Sequence, residues 1–309
     1  MRIPVIVVHG DCDGLISSAL ILQNIPEDSA KIYYSSPYFL RDTICKAMLG
    51  TKADVIYIAD LSPGRETIAA SSVYSRAFWF DHHTIEPSEV PGNVILTMDS
   101  NADSAARVVA RYFKAEDEIV NIADQIDKNR IESFKAEQLR SLVGYLKKYT
   151  YGMTFALKMR YLAISLAEKG IDTVLSDKEN LEGIAIYQNY LQGFSLEIEK
   201  KVNVHEISGA RVAIYTTQEF NPVYFITNKL KEHSMAPFNY IVVAVYRNQS
   251  NKTKLEFRTH TGEDVLSLAK IFGGGGHRLA SGATVTENIS EMQILKAIES
   301  FQKQSITHG

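Results

Sequence analysis

Acidic and histidine side chains gather in four separated stretches of this chain. They are His9-Gly10-Asp11-Cys12-Asp13-Gly14, Asp60 within Ile58-Ala59-Asp60-Leu61, Asp81-His82-His83, and Asp124 within Ile122-Ala123-Asp124-Gln125. In an extended segment side chains alternate, so His9, Asp11 and Asp13 are expected to share a face. Cys12 would then point away from them, as a small buried residue. Each feature alone has an ordinary reading: an Asp after a strand often caps a helix, and Asp-Gly often makes a turn. Brought to one place, so many carboxylates repel one another and raise their own pKa values, so the site needs cations. Mixed carboxylate and imidazole ligands suit Mn²⁺, with Zn²⁺ and Fe²⁺ as alternatives. The ligands exceed the needs of one ion. Two ions about 3.5–4 Å apart, sharing a carboxylate, would form a clamp that cleaves phosphate esters.

The elements around these residues are those of an α/β fold. Ile3 to Val8, Lys31 to Ser35, Val55 to Ala59, Ala77 to Phe80 and Val94 to Thr97 are rich in β-branched and aromatic residues and nearly continuous in apolar character. Such runs, separated by helix-length segments, fit a parallel sheet covered on both faces. His9, Asp60 and Asp81 follow three of these strands, where open α/β sheets place their ligand crevice. From about Ser104 to Val204 the chain reads as mostly helical, with Ala105, Val108, Val109 and Tyr112 at helical spacing, and likewise Ile184, Tyr187, Leu191, Phe194 and Ile198. Strands return at Arg211–Thr217, Tyr240–Tyr246, Lys254–Thr259 and Ala283–Val285, with short helices between and after them.

Near the end stands Gly273-Gly274-Gly275-Gly276-His277. Successive glycines let backbone N–H groups turn toward one point, which makes a nest for an anion; the bland reading is a helix C-cap and a flexible loop. His277 is able to donate to a phosphate oxygen, and Arg258 to grip one with two parallel bonds.

The 309 residues, 45% hydrophobic and 22% charged, suggest two globular domains. A net charge of −3 argues against a protein that coats long nucleic acid. From Gly209 onward there are 11 Lys+Arg against 8 Asp+Glu, which leaves 22 against 28 before it, so the acidic part holds the acid cluster. No apolar run reaches the ~18–20 residues needed to span a bilayer. The N-terminal apolar stretch has no small-residue cleavage site and reads as a strand rather than a signal peptide. Cys12 and Cys45 are too few for a disulfide framework, and a cytoplasmic home is expected.

Taken as a set, these residues resemble the DHH phosphoesterase superfamily, and the tail resembles the DHHA1 domain that often follows it. Asp11, Asp13 and Gly14 match the first motif, Asp60 the second, Asp81-His82-His83 the third and Asp124 the fourth; the glycine run with His277 and Ala280-Ser281-Gly282 matches the last. The resemblance implies an N-terminal parallel-sheet DHH domain with a helical extension over residues 1–180. A connector helix over 181–207 would lead to a smaller α/β DHHA1 domain over 208–309. Asp11 and Asp13 would each hold one Mn²⁺, with Mg²⁺ or Co²⁺ as substitutes, and Asp60 would bridge the pair. His82 and Asp124 would complete the shells, with Asp127, three residues on and sharing Asp124's helix face, as its alternative. Asp81 would orient a histidine, and His83 would contact the scissile phosphate. Many relatives place a metal-binding histidine four residues before the first Asp; here His9 stands two before it, and belongs to the expected set. Arg258, Gly274, Gly275, Gly276 and His277 would bind substrate.

The expected activity is hydrolysis of phosphate esters in short oligonucleotides or small nucleotides, with a RecJ-type single-strand exonuclease or an exopolyphosphatase-like hydrolase as alternatives. A nucleotide-binding regulator without catalysis, or an RNA-editing module, comes from other classes. Neither a membrane nor a stable complex with long nucleic acid is expected, and a homodimer is compatible with the reading.

Overall fold

In a computed structural model of the chain, residues 3–25, 30–51, 53–83, 89–115, 118–219, 221–247 and 251–307 are described. They divide into two units, Met1–Gln188 and Asn189–Gly309.

The first unit alternates strand and helix through its first hundred residues. β1 (Val5–His9) leads to α1 (Cys12–Asn24), β2 (Lys31–Ser35) to α2 (Leu40–Thr51), and β3 (Val55–Ala59) to α3 (Arg65–Ser71); β4 (Arg76–Asp81) and β5 (Val94–Met98) follow. All five strands are parallel, in the order β2-β1-β3-β4-β5. Burial on both faces explains the near-continuous apolar runs of β1 and β4, while the edge strands β2 and β5 are only partly buried. Along β1, Ile6 and Val8 enter one core with Leu15, Ile16 and Leu20 of α1, while Val5 and Val7 enter another with Leu40 and Ile44 of α2.

Helices then predominate, as the spacing predicts: α4 (Ala105–Phe113), α5 (Glu118–Asp127), α6 (Phe134–Tyr149) and α7 (Gly152–Ser176). Gly170 breaks α7 with φ 76°, in the left-handed region that glycine enters without a steric cost. α1 packs against α4, α5 and α7.

α8 (Lys178–Lys201) follows. Val202 to Ile207, expected at the end of a connector helix, instead form strand β6, paired antiparallel with β7 (Ala210–Thr217). α9 (Val223–Lys229), β8 (Tyr240–Arg247), β9 (Lys252–Arg258), α10 (Val265–Ile271), β10 (Gly275–His277), β11 (Ala280–Val285) and α11 (Glu291–Thr307) complete the chain. The second unit's sheet runs β10-β11-β9-β8-β7-β6 and is antiparallel except between β7 and β8. Val212 and Ile214 of β7 and Phe257 of β9 meet Leu268 of α10 and Ile294 and Ile298 of α11 in one core. On the other face the ring of Tyr215 meets Phe194 of α8 edge-on. Among the described residues, no helix is long and apolar enough to cross a membrane.

Candidate metal centre

Strands β1, β3 and β4 are neighbours, and each delivers a polar residue at its carboxyl end: His9, Asp60 and Asp81. Asp11 and Asp13 arrive differently from expectation. Strand alternation does not continue past His9. Asp11 is instead the N-cap of α1, accepting from the Gly14 amide at 3.0 Å, and Asp13 lies in the helix's first turn. Cys12 is buried as expected, its thiol toward the Leu139 carbonyl on α6. The turn demands Gly14: a Cβ there would sit 2.1 Å from the His9 carbonyl oxygen.

Asp60 has φ 56°, a left-handed conformation uncommon outside glycine, and its amide donates to the Phe80 carbonyl at 3.0 Å. Such conformations persist where surroundings fix them, and here the bend turns a carboxylate into the rim. The neighbouring Leu61 carbonyl accepts from the Trp79 indole at 2.6 Å, which pins the same loop.

These side chains converge. His9 Nδ1 lies 2.6 Å from Asp11 Oδ2 and 3.5 Å from Asp60 Oδ2. His82 Nε2 lies 3.9 Å from Asp13 Oδ2 and 3.6 Å from Asp127 Oδ2. One ligand atom from each of His9, Asp11 and Asp60 falls within 4.8 Å of the others; the same holds for Asp60, Asp81, His82 and His83, and for Asp13, His82 and Asp127. Asp60 thus belongs to the first and the second set, as a bridging carboxylate must, and His82 to the second and the third.

At the fourth motif the structure brings Asp127, rather than Asp124, to this cluster. Asp124 Oδ1 accepts from Ser104 Oγ at 2.6 Å, and its Oδ2 accepts from Arg107 Nε at 3.0 Å and from Arg107 Nη2. Both oxygens are committed to Ser104 and Arg107, while Asp127, at the last position of α5, faces His82. The i, i+3 spacing left the choice between them open; the serine that caps α4 and the arginine one turn on were the signals for it.

Electrostatics match a site built for cations. Burial, reinforced by the charges of Asp11 and Asp13, pushes Asp60 well above the usual carboxylate range. Burial and then the Asp11 charge lift Asp13 to about 7, against the pull of the Ala106 and Ala105 amides that donate to it at 2.8 and 2.7 Å. Enclosure and then the charges of Asp13 and Asp11 lift Asp127 as well. Asp11 goes the other way. Burial works upward on it, but the adjoining His9 holds it well below its ordinary value. Asp60 Oδ2 is buried without a hydrogen-bond partner. An orphaned carboxylate oxygen among acids whose pKa values are mostly pushed upward is a donor set short of positive charge, and divalent cations fit it. Burial, followed by the charge of His83, lowers the His82 pKa, so this imidazole offers a lone pair at neutral pH. Its Nδ1 faces the Ala102 carbonyl at 3.4 Å, which turns Nε2 toward Asp13 and Asp127.

His83 stands apart in chemistry. Its Nδ1 lies 2.6 Å from Asp81 Oδ1, and Asp81 is fully buried. Burial lowers the His83 pKa, but the bond to Asp81 outweighs it and the net shift is upward.

In the second unit the glycine run does not form the expected nest. The amides of Gly273 and Gly274 donate to the Lys270 and Ala269 carbonyls and close the end of α10, and Gly275–His277 pair with β11. The glycines are needed for close approach: a Cβ on Gly274 would lie 2.2 Å from the Gly282 carbonyl oxygen. Arg258 Nη1 donates to the Phe257 carbonyl at 2.8 Å and the Ser281 carbonyl at 3.3 Å, and lies 3.4 Å from Glu256 Oε2. These bonds tie the residue to its own sheet.

Residues 222–304 match the DHHA1 domain family. No curated protein matches the chain by sequence. Among solved structures, the chain is similar to PggH from Vibrio cholerae, a pGpG-specific phosphodiesterase, with TM-score 0.60 and 17% identity over 99% of both chains. It is similar to RecJ in complex with Mn²⁺ from Thermus thermophilus, with TM-score 0.53 and 14% identity over 97% of this chain and 52% of that one. An exopolyphosphatase-related protein from Bacteroides fragilis matches with TM-score 0.50 and 17% identity, over 98% of this chain and 92% of the other. These likenesses establish a shared fold.

Proposed function

We propose that this chain, whose second unit carries a DHHA1 domain, is a Mn²⁺-dependent phosphodiesterase acting on short oligonucleotides or dinucleotides. The observation that carries the reading is Asp60. It is a buried carboxylate in a left-handed bend, with an orphaned oxygen, shared between two groups of ligand atoms. His9, Asp11, Asp13, Asp60, His82 and Asp127 would hold two ions, with Asp60 between them. Divalent ions held there would supply a water of lowered pKa and positive charge for the phosphoryl oxygens.

The chain's own residues do the rest. Asp81 accepts the Nδ1 proton of His83 and fixes the ring, leaving Nε2–H to donate to a non-bridging phosphate oxygen. The raised pKa of His83 keeps that proton in place. His82, held neutral by burial, offers its Nε2 lone pair without carrying a competing charge. In the second unit His277 and the open, side-chain-free face of Gly275 are the groups left to contact substrate, since Arg258, Gly274 and Gly276 are engaged within their own sheet. A short substrate is favoured because the likeness to PggH, a phosphodiesterase of the dinucleotide pGpG, spans both chains almost completely.

The test is a panel of 5′-labelled dinucleotides, pAp, cyclic dinucleotides, polyphosphate and single-stranded DNA, offered with Mn²⁺, Mg²⁺ or Co²⁺ and with products identified by mass. Dinucleotides should be cut fastest, with Mn²⁺ as the best metal. Replacing the bridging residue, Asp60→Asn, should cost several kcal/mol of barrier, about 10³-fold in rate. Tight dinucleotide binding without turnover under any metal would instead identify a nucleotide-binding regulator.

A further inference from the structure

We propose that Arg107 is a positioning residue of this metal centre: with Ser104 and Asp124 it locks α4 to α5, and so sets the carboxylates of Asp13 and Asp127. The inference rests on the metal-binding reading above. Three contacts close a ring. The Arg107 amide donates to Ser104 Oγ at 3.1 Å, Ser104 Oγ donates to Asp124 Oδ1 at 2.6 Å, and Arg107 Nε donates to Asp124 Oδ2 at 3.0 Å. The guanidinium also reaches Asn121 Oδ1 at 2.7 Å, so it spans a full turn of α5 between Asn121 and Asp124. A planar fork holding two acceptors on one helix resists both sliding and rotation, which a point charge does not.

Each helix held by this ring carries one end of the cluster. Ser104 is the N-cap of α4, and the next two amides, Ala105 and Ala106, donate to the two oxygens of Asp13. Asp127 lies three residues beyond Asp124 on α5, with its Oδ2 3.6 Å from His82 Nε2. A shift of α5 against α4 therefore changes the separation of Asp127 from Asp13 and His82.

Arg107 also lines a groove of about 510 Å³ over α4, together with Arg111, Lys114 and Asp103, which raises the alternative of a phosphate contact. The charges argue otherwise. Arg107 is paired with Asp124, and Arg111 with Asp99. A guanidinium with its charge already balanced serves to hold structure.

Calorimetric titration of the full chain with Mn²⁺ separates the outcomes. Asp127→Asn should reduce the ions bound from two to one. Arg107→Gln and Asp124→Asn should keep two ions but weaken their binding by about 10–100-fold, the usual cost of removing a partner behind the ligands. The double variant should be no weaker than either single one, because the ring is already open. Should Arg107→Gln fail to fold, Arg107→Lys and the isosteric Asp124→Asn give the same comparison. Loss of an ion in Asp124→Asn with both retained in Asp127→Asn would overturn the assignment, as would wild-type affinity in the Arg107 variants. A wild-type chain that takes up no Mn²⁺ would remove the metal reading itself, and the inference would fall with it.

Discussion

Between Asp81 and His83 a fully buried carboxylate holds an imidazole by a 2.6 Å bond, and each partner moves the other's pKa. Burial would raise Asp81, but the bond and charge of His83 bring it below its ordinary value of 3.8. His83 rises above 6.5. Stability from the depressed acid is present above pH 3.8 and lost as pH falls through its folded value. Stability from the raised histidine is present below 6.5 and lost as pH rises through its own. The pair thus stabilises the fold in full between pH 3.8 and 6.5, and its contribution fades as pH falls through the lowered Asp81 value or rises through the raised His83 value. Asp81→Asn should move the His83 titration midpoint downward, followed by NMR of the ring protons, and cut turnover by about 10–100-fold. An unmoved midpoint would separate Asp81 from the role given it. At this scale the sequence was informative about residue types: His9, Asp11, Asp13, Asp60, Asp81, His82 and His83 are all brought to one rim. On α5 it favoured Asp124, whereas the carboxylate near His82 is that of Asp127. Asp124 and Asp127 share a helical face, and a contact with Arg107, seventeen residues before Asp124, decides between them.

At the scale of elements, the start of α1 shows how a strand-to-helix turn builds a site. The strand reading of His9 to Asp13 reached the right cluster by the wrong geometry, since both strand alternation and a helix's first turn bring these side chains near one another. The turn is so close that Gly14→Ala forces backbone apart at the His9 carbonyl. It should destabilise the chain by roughly 3 kcal/mol, measured by denaturant melting. A variant as stable as wild type would show that the turn has room to spare. The runs Val55–Ala59 and Lys31–Ser35 were legible to the residue, because β-branched and aromatic side chains mark them as strands. β6 was not. Its Val202-Asn203-Val204-His205-Glu206-Ile207 alternates, but it directly follows the helical spacing of Leu191, Phe194 and Ile198 and was absorbed into it. β10 is three residues, two of them glycine, and offers no side-chain pattern to read.

For the whole molecule, the proposed function pairs an acidic first unit, whose carboxylates and histidines would hold divalent ions, with a mildly basic second unit in which residues 222–304 match the DHHA1 domain. Its central claim is electrostatic: the buried carboxylates of Asp13 and Asp60 and the more exposed one of Asp127, all lifted above their ordinary range, would be charged together once divalent cations lie among them. Electron paramagnetic resonance of the purified chain during Mn²⁺ addition tests this most directly. Two ions held about 3.5–4 Å apart across a shared carboxylate couple their spins. The account predicts uptake of two ions per chain, with a coupled spectrum that collapses to that of isolated ions in Asp60→Asn. A wild-type spectrum of isolated ions only, or no bound Mn²⁺ at all, would contradict it.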